Sequence, residues 1–379
     1  MWRTPGPIAP ANAPGLCLEA RPVVVEPTLD LIRRGLGAPR KAGTARDGTR
    51  RNETTTRFTA NMINDGPIGG PGAKGRFGLP LLCKQAGANL LAMSKVVITC
   101  ALTGVAADRR QCPAIPYTPE EIAEEARRAY EAGAAIVHIH AREDDGKPSH
   151  RVEVYREIME RTRAKCPVIL NFSTGAVGIP ADQRVAHIRD LKPEIGALNM
   201  GSMNYAKFSA ARREFVFDHV FANPFKDILL FVETMKQGGV KPELECFDTG
   251  HIRNAEPLME LGLLDDPIQF SLILGVLGGA PPTAQTLAFM ATLLPPRAHW
   301  EVIGISHNQW ELVAAALSLG GSIRVGLEDN FYLSPGVMAK SNGDLVEKAV
   351  RMVQDIGREV ASVDEVRKAL SLAPVPVGA

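Results

Sequence analysis

From Lys95 onward, short β-branched runs alternate with longer segments of helical periodicity, and this alternation limits the fold more than any other feature of the chain. The strand candidates are Lys95–Leu102, Ala134–His140, Pro167–Thr174, Ile195–Met200, Glu243–Thr249, Ile268–Gly275, Trp300–Ser306 and Ser322–Asp329. Helical patterns occupy Thr118–Ala132, Val152–Lys165, Asp182–Leu191, Pro224–Gly238, Ala255–Leu263, Ala284–Leu294, Gln309–Leu319 and Asp344–Val360. The first of these carries its own boundaries: Thr118 as N-cap, Pro119 at the first helical position, Glu120 and Glu121 in the first turn, and Gly133 as the stop. Eight strands alternating with eight helices predict an α/β chain folded as a (β/α)8 barrel over residues 95–379.

Residues 1–94 differ from the rest. They are rich in Gly, Pro and charged side chains without sustained periodicity, which predicts a disordered extension. One reading makes them an Arg-rich transit peptide, against which stand Glu19, Glu26, Asp30 and Asp47. The preferred reading starts translation at Met93, because Met93-Ser-Lys-Val-Val-Ile-Thr opens directly into a strand. Lys and Arg, 43 in all, are balanced by 42 Asp and Glu and spread through the sequence, so there is no basic stripe for nucleic acid. Apolar runs such as Phe270–Gly279 are too short to span a bilayer, and the N-terminus lacks a signal-peptide apolar region, so a cytoplasmic protein is expected. The six cysteines form no C-x-x-C pair and suit reduced thiols; Cys100, Cys166 and Cys246 lie in or beside apolar segments, where a nucleophilic role is not favoured.

In a barrel of this kind, active sites lie at the C-terminal ends of the strands. The second strand ends Val137-His-Ile-His140; alternation sends His138 and His140 from one face, which is half of a metal site or, alternatively, a pair of hydrogen-bonded core histidines. On the last strand Arg324, Gly326 and Glu328 share a face, with Asp329 at the rim. Charges inside a barrel are costly unless paired or bound to a ligand. An Arg324–Glu328 pair bracing the lumen is one explanation; the other lets Glu328 complete a His-His-Glu set with one open position, the pattern of catalytic zinc. Ser173, Thr174 and Gly175 end the third strand and suit either an oxyanion site or a tight turn. The fourth ends Asn199-Met-Gly-Ser-Met-Asn204. The fifth offers Glu243, Glu245 and Asp248, with Glu245 or Asp248 expected to position substrate. Gly278 and Gly279, after the sixth, suit close approach to a phosphate or a plain turn.

Taken in order, several segments resemble the β-keto acid cleavage enzymes, the family that includes 3-keto-5-aminohexanoate cleavage enzyme. They are Thr99-Cys-Ala-Leu-Thr-Gly104, Pro119-Glu-Glu-Ile-Ala123, Gly133-Ala-Ala-Ile-Val-His-Ile-His-Ala-Arg142, Glu245-Cys-Phe-Asp-Thr-Gly-His251, Gly275-Val-Leu-Gly-Gly279 and Arg324-Val-Gly-Leu-Glu-Asp-Asn330. The resemblance implies a zinc-dependent acyltransferase that exchanges acyl groups between a β-keto acid and acetyl-CoA, giving acetoacetate and a new acyl-CoA. It implies His138, His140 and Glu328 as zinc ligands, Asp329 with Arg324 as the base dyad, Ser173 or Thr174 as the hydroxyl, Glu245 as an active-site carboxylate, and a homo-oligomer, a tetramer. The zinc would act as a Lewis acid as the substrate loses a proton, and Arg324 would orient Asp329. One departure bears on substrate. Members that take amino-substituted keto acids carry Ala-Glu after Thr-Gly, whereas this chain reads Val105-Ala106-Ala107-Asp108, so a neutral or differently charged keto acid is at least as good a fit.

The enzymatic alternative is a zinc hydrolase of the amidohydrolase kind, which also uses a His-x-His strand in a (β/α)8 barrel. That pattern puts the pair on the first strand; here it is on the second, and His251 and His307 are expected as loop residues or as partners of the ligands. A metal-stabilised barrel without catalysis would have no use for Arg324 and Asp329 beside an open position.

Overall fold

The structure is a computed structural model that describes residues 95–372. The expectations for residues 1–94, including the extension and the start at Met93, lie outside the described residues.

Eight parallel strands close into a barrel: β1 Ile98–Ala101, β2 Ile136–Ile139, β3 Ile169–Ser173, β4 Ile195–Asn199, β5 Lys241–Cys246, β6 Gln269–Leu274, β7 His299–Gly304 and β8 Ser322–Val325. Each pairs with the next, and β8 pairs with β1 through Arg324 and Thr99. Helices alternate with them: α1 Pro119–Ala132, α2 Val152–Lys165, α3 Ala181–Leu191, α4 Phe225–Gly238, α5 Thr249–Arg253, α6 Ala255–Glu260, α7 Ala284–Thr292, α8 Gln309–Ser318, α9 Asn342–Asp355 and α10 Val363–Ala369. The (β/α)8 expectation is met. In α1 the local signals act as read: Thr118 Oγ1 accepts from the Glu121 amide, the Glu121 carboxylate accepts from the Thr118 amide, and Ile122, Ala126 and Ala129 face inward.

Outward-facing strand residues such as Ile98, Val137, Leu170 and Leu272 pack under the helices as the main core. The lumen is different. Its N-terminal end is closed by Val97, Ile136, Ile169 and Ile195, against which Val366 and Leu370 of α10 and its following turn are packed. The layer above is polar, with Thr99, His138, Asn171, Glu243, Ser271 and Glu301 buried together, where most barrels of this type place branched apolar side chains. A polar lumen marks this barrel as built around chemistry.

The structure adds α5, α10 and a hairpin of Tyr332–Ser334 with Val337–Met338 to the sequence reading, and differs from it in three further places. An antiparallel ribbon, Met203–Ser209 with Glu214–Phe221, stands between β4 and α4, where the eight-plus-eight pattern has nothing. α9 begins two residues earlier than expected, capped by Ser341, and ends at Asp355 because Glu359–Val360 pairs with Lys95–Val96. β8 ends at Val325 rather than running to Asp329: Gly326 turns the chain at φ +140°, and its carbonyl accepts from the amides of Asp329 and Asn330. A Cβ at Gly326 would lie 2.1 Å from the Ala101 carbonyl oxygen. Gly326→Ala is therefore expected to lower stability by about 2 kcal/mol or more in denaturant titration, from strain and clash together.

Candidate active site

The lumen-facing columns of the strands deliver the charged groups. Arg324, buried on β8, donates from Nε to Asp329 Oδ2 at 2.9 Å and from Nη2 to Asp329 Oδ1 at 3.0 Å, a bidentate pair. The same guanidinium reaches Glu328 Oε1 at 2.7 Å and Glu245 Oε1 at 3.4 Å. Consecutive residues of an extended strand face opposite sides, so Glu328 and Asp329 can both meet Arg324 only because the turn at Gly326 releases them from β8.

His138 and His140 stand beside this cluster. Glu328 Oε1 lies 3.7 Å from His138 Nε2 and 3.6 Å from His140 Nε2. Both ring nitrogens of His138 are buried without a hydrogen-bond partner among the described residues. Burial, with Arg324 nearby, holds His138 well below the usual imidazole range, so its ring is neutral and its lone pair is free. Burial works to raise Glu328, but the Arg324 guanidinium outweighs it and keeps the carboxylate ionised. Gly104 supports Glu328 from β1: its amide donates to Glu328 Oε2 at 3.1 Å. Two buried imidazoles and an ionised carboxylate converging within 4.8 Å form a donor set that fits a divalent cation of the zinc type.

Below lies a second group of carboxyls. Ser271 Oγ sits between Glu243 Oε1 and Glu301 Oε1, while Thr99 donates to Glu301 Oε2 at 2.7 Å and Asn171 donates to Glu243 Oε2. One serine proton cannot serve two carboxylates, so one of the pair holds a proton of its own. Burial and the charge of Glu243 push Glu301 well above the carboxylate range, which assigns the proton to Glu301. Glu245 is pushed up to about 8 by burial and then by Glu243. Asp329 rises to about 6, burial exceeding the opposing pull of Arg324. Glu243 also approaches the free side of His138, its Oε2 lying 4.0 Å from Nδ1.

The remaining expectations separate. Ser173 faces the lumen, its Oγ accepting from the Gly175 amide at 3.1 Å. A Cβ on Gly175 would contact Ser173 Oγ, Asn199 Nδ2 and His140 Cε1, so these three surround one point. Thr174 faces away and spends its hydroxyl on the Ala197 carbonyl at 2.6 Å. Asp248 caps α5 through the Gly250 amide at 3.2 Å. Gly278, at φ +103°, packs against the ribbon, where a Cβ would strike the Asn204 carbonyl oxygen, and Gly279 packs against Phe247. His251 Nδ1 accepts from the Phe247 amide, and His307 is exposed in a 3-10 turn. Cys100 and Cys246 are buried thiols that burial raises far from ionisation. Asn199 and Glu301 carry no individual expectation from the sequence reading. The signal for Glu301 was present, since a carboxylate inside Trp300-Glu-Val-Ile is as anomalous as Arg324 in its strand. A cleft of about 830 Å³ lined by Tyr130, Arg163, Glu194 and Arg367 lies at the opposite, N-terminal end of the barrel, away from this cluster.

The family model for beta-keto acid cleavage enzymes matches residues 95–372. The chain is 42% identical over 282 residues to the 3-keto-5-aminohexanoate cleavage enzyme of Fusobacterium nucleatum, covering 74% of this chain and 99% of that one. It is 37% identical to the 3-dehydrocarnitine:acetyl-CoA trimethylamine transferase of Rhizobium meliloti, over 73% and 97% of the two chains. It is 32% identical to the 3,5-dioxohexanoate:acetyl-CoA acetone transferase of Paraburkholderia graminis, over 73% and 96%. The binary complex of ObcA with oxaloacetate superposes with a TM-score of 0.58 at 22% identity, over 69% of this chain and 68% of that one, a likeness of fold. Among the described residues no helix is long and apolar enough to cross a membrane.

Removing the guanidinium leaves three buried carboxyls without a cation. Arg324→Met is expected to destabilise the protein by ~3–5 kcal/mol. Carboxyls whose folded-state values are raised stabilise only at low pH, so the loss grows as pH rises from about 4 toward neutrality, read by denaturant unfolding at several pH values.

Proposed function

The chain belongs to the beta-keto acid cleavage enzyme family, and from that premise we propose that it is a zinc-dependent acyltransferase acting on a β-keto acid and acetyl-CoA. The reaction is R–CO–CH2–COO⁻ plus acetyl-CoA giving acetoacetate plus R–CO–CoA. One observation carries the reading: a bidentate Arg324–Asp329 pair stands in the same buried lumen as His138, His140 and Glu328. His138, His140 and Glu328 would hold the zinc, which when bound supplies Lewis acidity toward the keto and carboxylate oxygens of the substrate.

The chain's own groups do the rest. Asp329 takes the proton from the carbon between the two carbonyl groups. A carboxylate at about 6 is ionised at neutral pH yet more basic than a solvent-exposed aspartate, which suits it to that task. Arg324 fixes both Asp329 oxygens, so the base acts from one orientation, and its positive charge favours the negative charge that develops on substrate. Ser173 Oγ accepts from Gly175 and keeps its own proton to donate to a substrate oxygen, whereas Thr174 has no proton left to give. Glu245, protonated at neutral pH, is a donor on the opposite side of the guanidinium. The buried surroundings of these groups exclude the water that would hydrolyse a thioester. The carbanion attacks the acetyl-CoA carbonyl and expels CoA as its thiolate; the thiolate then adds to the original keto carbon, and cleavage of the old carbon–carbon bond gives R–CO–CoA and the acetoacetate carbanion, which takes back the proton held by Asp329. A homo-oligomeric assembly is part of the same proposal, on the family resemblance alone.

Three tests address these roles. The purified protein, assayed by mass spectrometry of CoA thioesters over a panel of β-keto acids, should form a new thioester, contain one zinc per chain by elemental analysis, and lose turnover on chelation. A metal-loaded protein that yields no thioester with any member contradicts the proposal. Asp329→Asn should retain zinc and fold while losing about a hundredfold or more in kcat. In the native protein kcat/KM should fall as pH drops through about 6, because Asp329 then carries the proton it must accept. Turnover by Asp329→Asn equal to the native protein would remove Asp329 as the base.

A further inference from the structure

The lumen at the level of Arg324 is two-sided. On the β8, β1 and β2 side stand Arg324, Glu328 and the two histidines. On the β5 to β7 side the inward columns turn apolar. Ile303 is the register partner of Arg324 on one side and of Ile273 on the other. Both continue inward-facing columns, two residues above Glu301 and Ser271. Phe247 follows Glu245 in the same way. Met203 and Phe221 of the ribbon complete a buried cluster with Phe247, Ile273 and Ile303, and Tyr205 packs on it. The Tyr205 phenol is pushed up to about 12 by burial and then by Glu328, Asp329 and Glu245.

The side chains of this wall are apolar and aromatic, and several ionic groups that border it are already engaged, Glu245 by Arg324 among them. Arg184, beside Phe221, donates to the Thr174 and Ala222 carbonyls and to Asn223. Arg142, almost fully buried, donates to the carbonyls of Thr103, Gly104, Ala107 and Gly146. Asp108, on the β1–α1 loop, pairs with Arg110 at 2.6 Å and accepts from the Arg110 amide. A substrate ammonium or carboxylate placed against Met203, Phe247, Ile273 and Ile303 would lose its hydration to side chains that offer it no ion pair.

We propose that the keto acid this enzyme takes carries an uncharged hydrocarbon substituent, packed against Met203, Phe247, Ile273 and Ile303. This rests on the acyltransferase reading of the site and specifies which acyl group it transfers. The test compares kcat/KM at saturating acetyl-CoA, with zinc supplied, for β-keto acids bearing an ethyl group, a propyl group, a substituent ending in an ammonium and one ending in a carboxylate. Propyl should exceed ethyl by about threefold, the worth of burying one more methylene, and both charged acids should fall about a hundredfold lower. Ile273→Thr should reduce the propyl preference severalfold with the KM for acetyl-CoA unchanged; if that variant does not fold, the native panel still decides.

Equal or better turnover of either charged acid overturns the inference while leaving the acyltransferase reading in place. A change in the KM for acetyl-CoA alone in Ile273→Thr also overturns it, since the wall would then meet the thioester arm. If no member of the panel is converted, the acyltransferase reading itself fails.

Discussion

A single buried guanidinium organises this protein. Arg324 holds Asp329 by two hydrogen bonds, Glu328 by a third and Glu245 by a longer contact, in a lumen that also contains Glu243 and Glu301. Five carboxyl groups cannot share that space with one cation if all are ionised. Burial pushes Glu301 and Glu245 toward their protonated forms, and the negative charge that remains beside Arg324 is of the kind a divalent cation would offset. His138, whose ring burial keeps neutral, and His140 lie on the side of Glu328 where such an ion would sit. The electrostatics of the lumen and the proposed metal requirement are thus one constraint.

The barrel supplies what this constraint needs. Its apolar outer shell and the plug formed by Val366 and Leu370 provide stability away from the lumen, so the inner layer is free to be polar. Closure between β8 and β1 places Arg324 beside Thr99, and the left-handed turn at Gly326 brings two successive acidic residues to the same cation. The β1–α1 loop closes the circuit: Arg142 gathers the carbonyls of that loop, and the Gly104 amide braces Glu328. Apolar residues of β5 to β7 form the opposite wall. Polar and apolar halves therefore meet at the level where the proposed chemistry takes place.

Much of this was legible in the residues. Periodicity located all eight barrel strands to within a few residues, because most are apolar runs bounded by helix caps and glycines. His138-x-His140 and Arg324 stood out because charged or metal-binding groups on a buried strand violate the usual cost of burial. What escaped has physical reasons too. The ribbon at Met203–Ser209 and Glu214–Phe221 alternates weakly and leaves Phe208, Phe215 and Val220 exposed, so no buried face announces it. The choice between Ser173 and Thr174 depends on which hydroxyl the turn turns inward. Asp329 read as a rim residue because strand alternation sends it away from Glu328, and only the break at Gly326 brings them together. Glycines 278 and 279 resemble a phosphate loop in one dimension, while in three they allow close packing against Asn204 and Phe247.

The central claim is that this lumen removes a proton from the carbon between two carbonyl groups, with Asp329 as the base. That step is separable from acyl transfer. Exchange of the α-hydrogens of a non-transferring β-keto acid in deuterated water, followed by NMR without acetyl-CoA, measures it directly. The account predicts exchange well above the spontaneous rate with the zinc-loaded protein and none above it with Asp329→Asn. Spontaneous-rate exchange in the native, metal-loaded protein, or undiminished exchange in the variant, would contradict it.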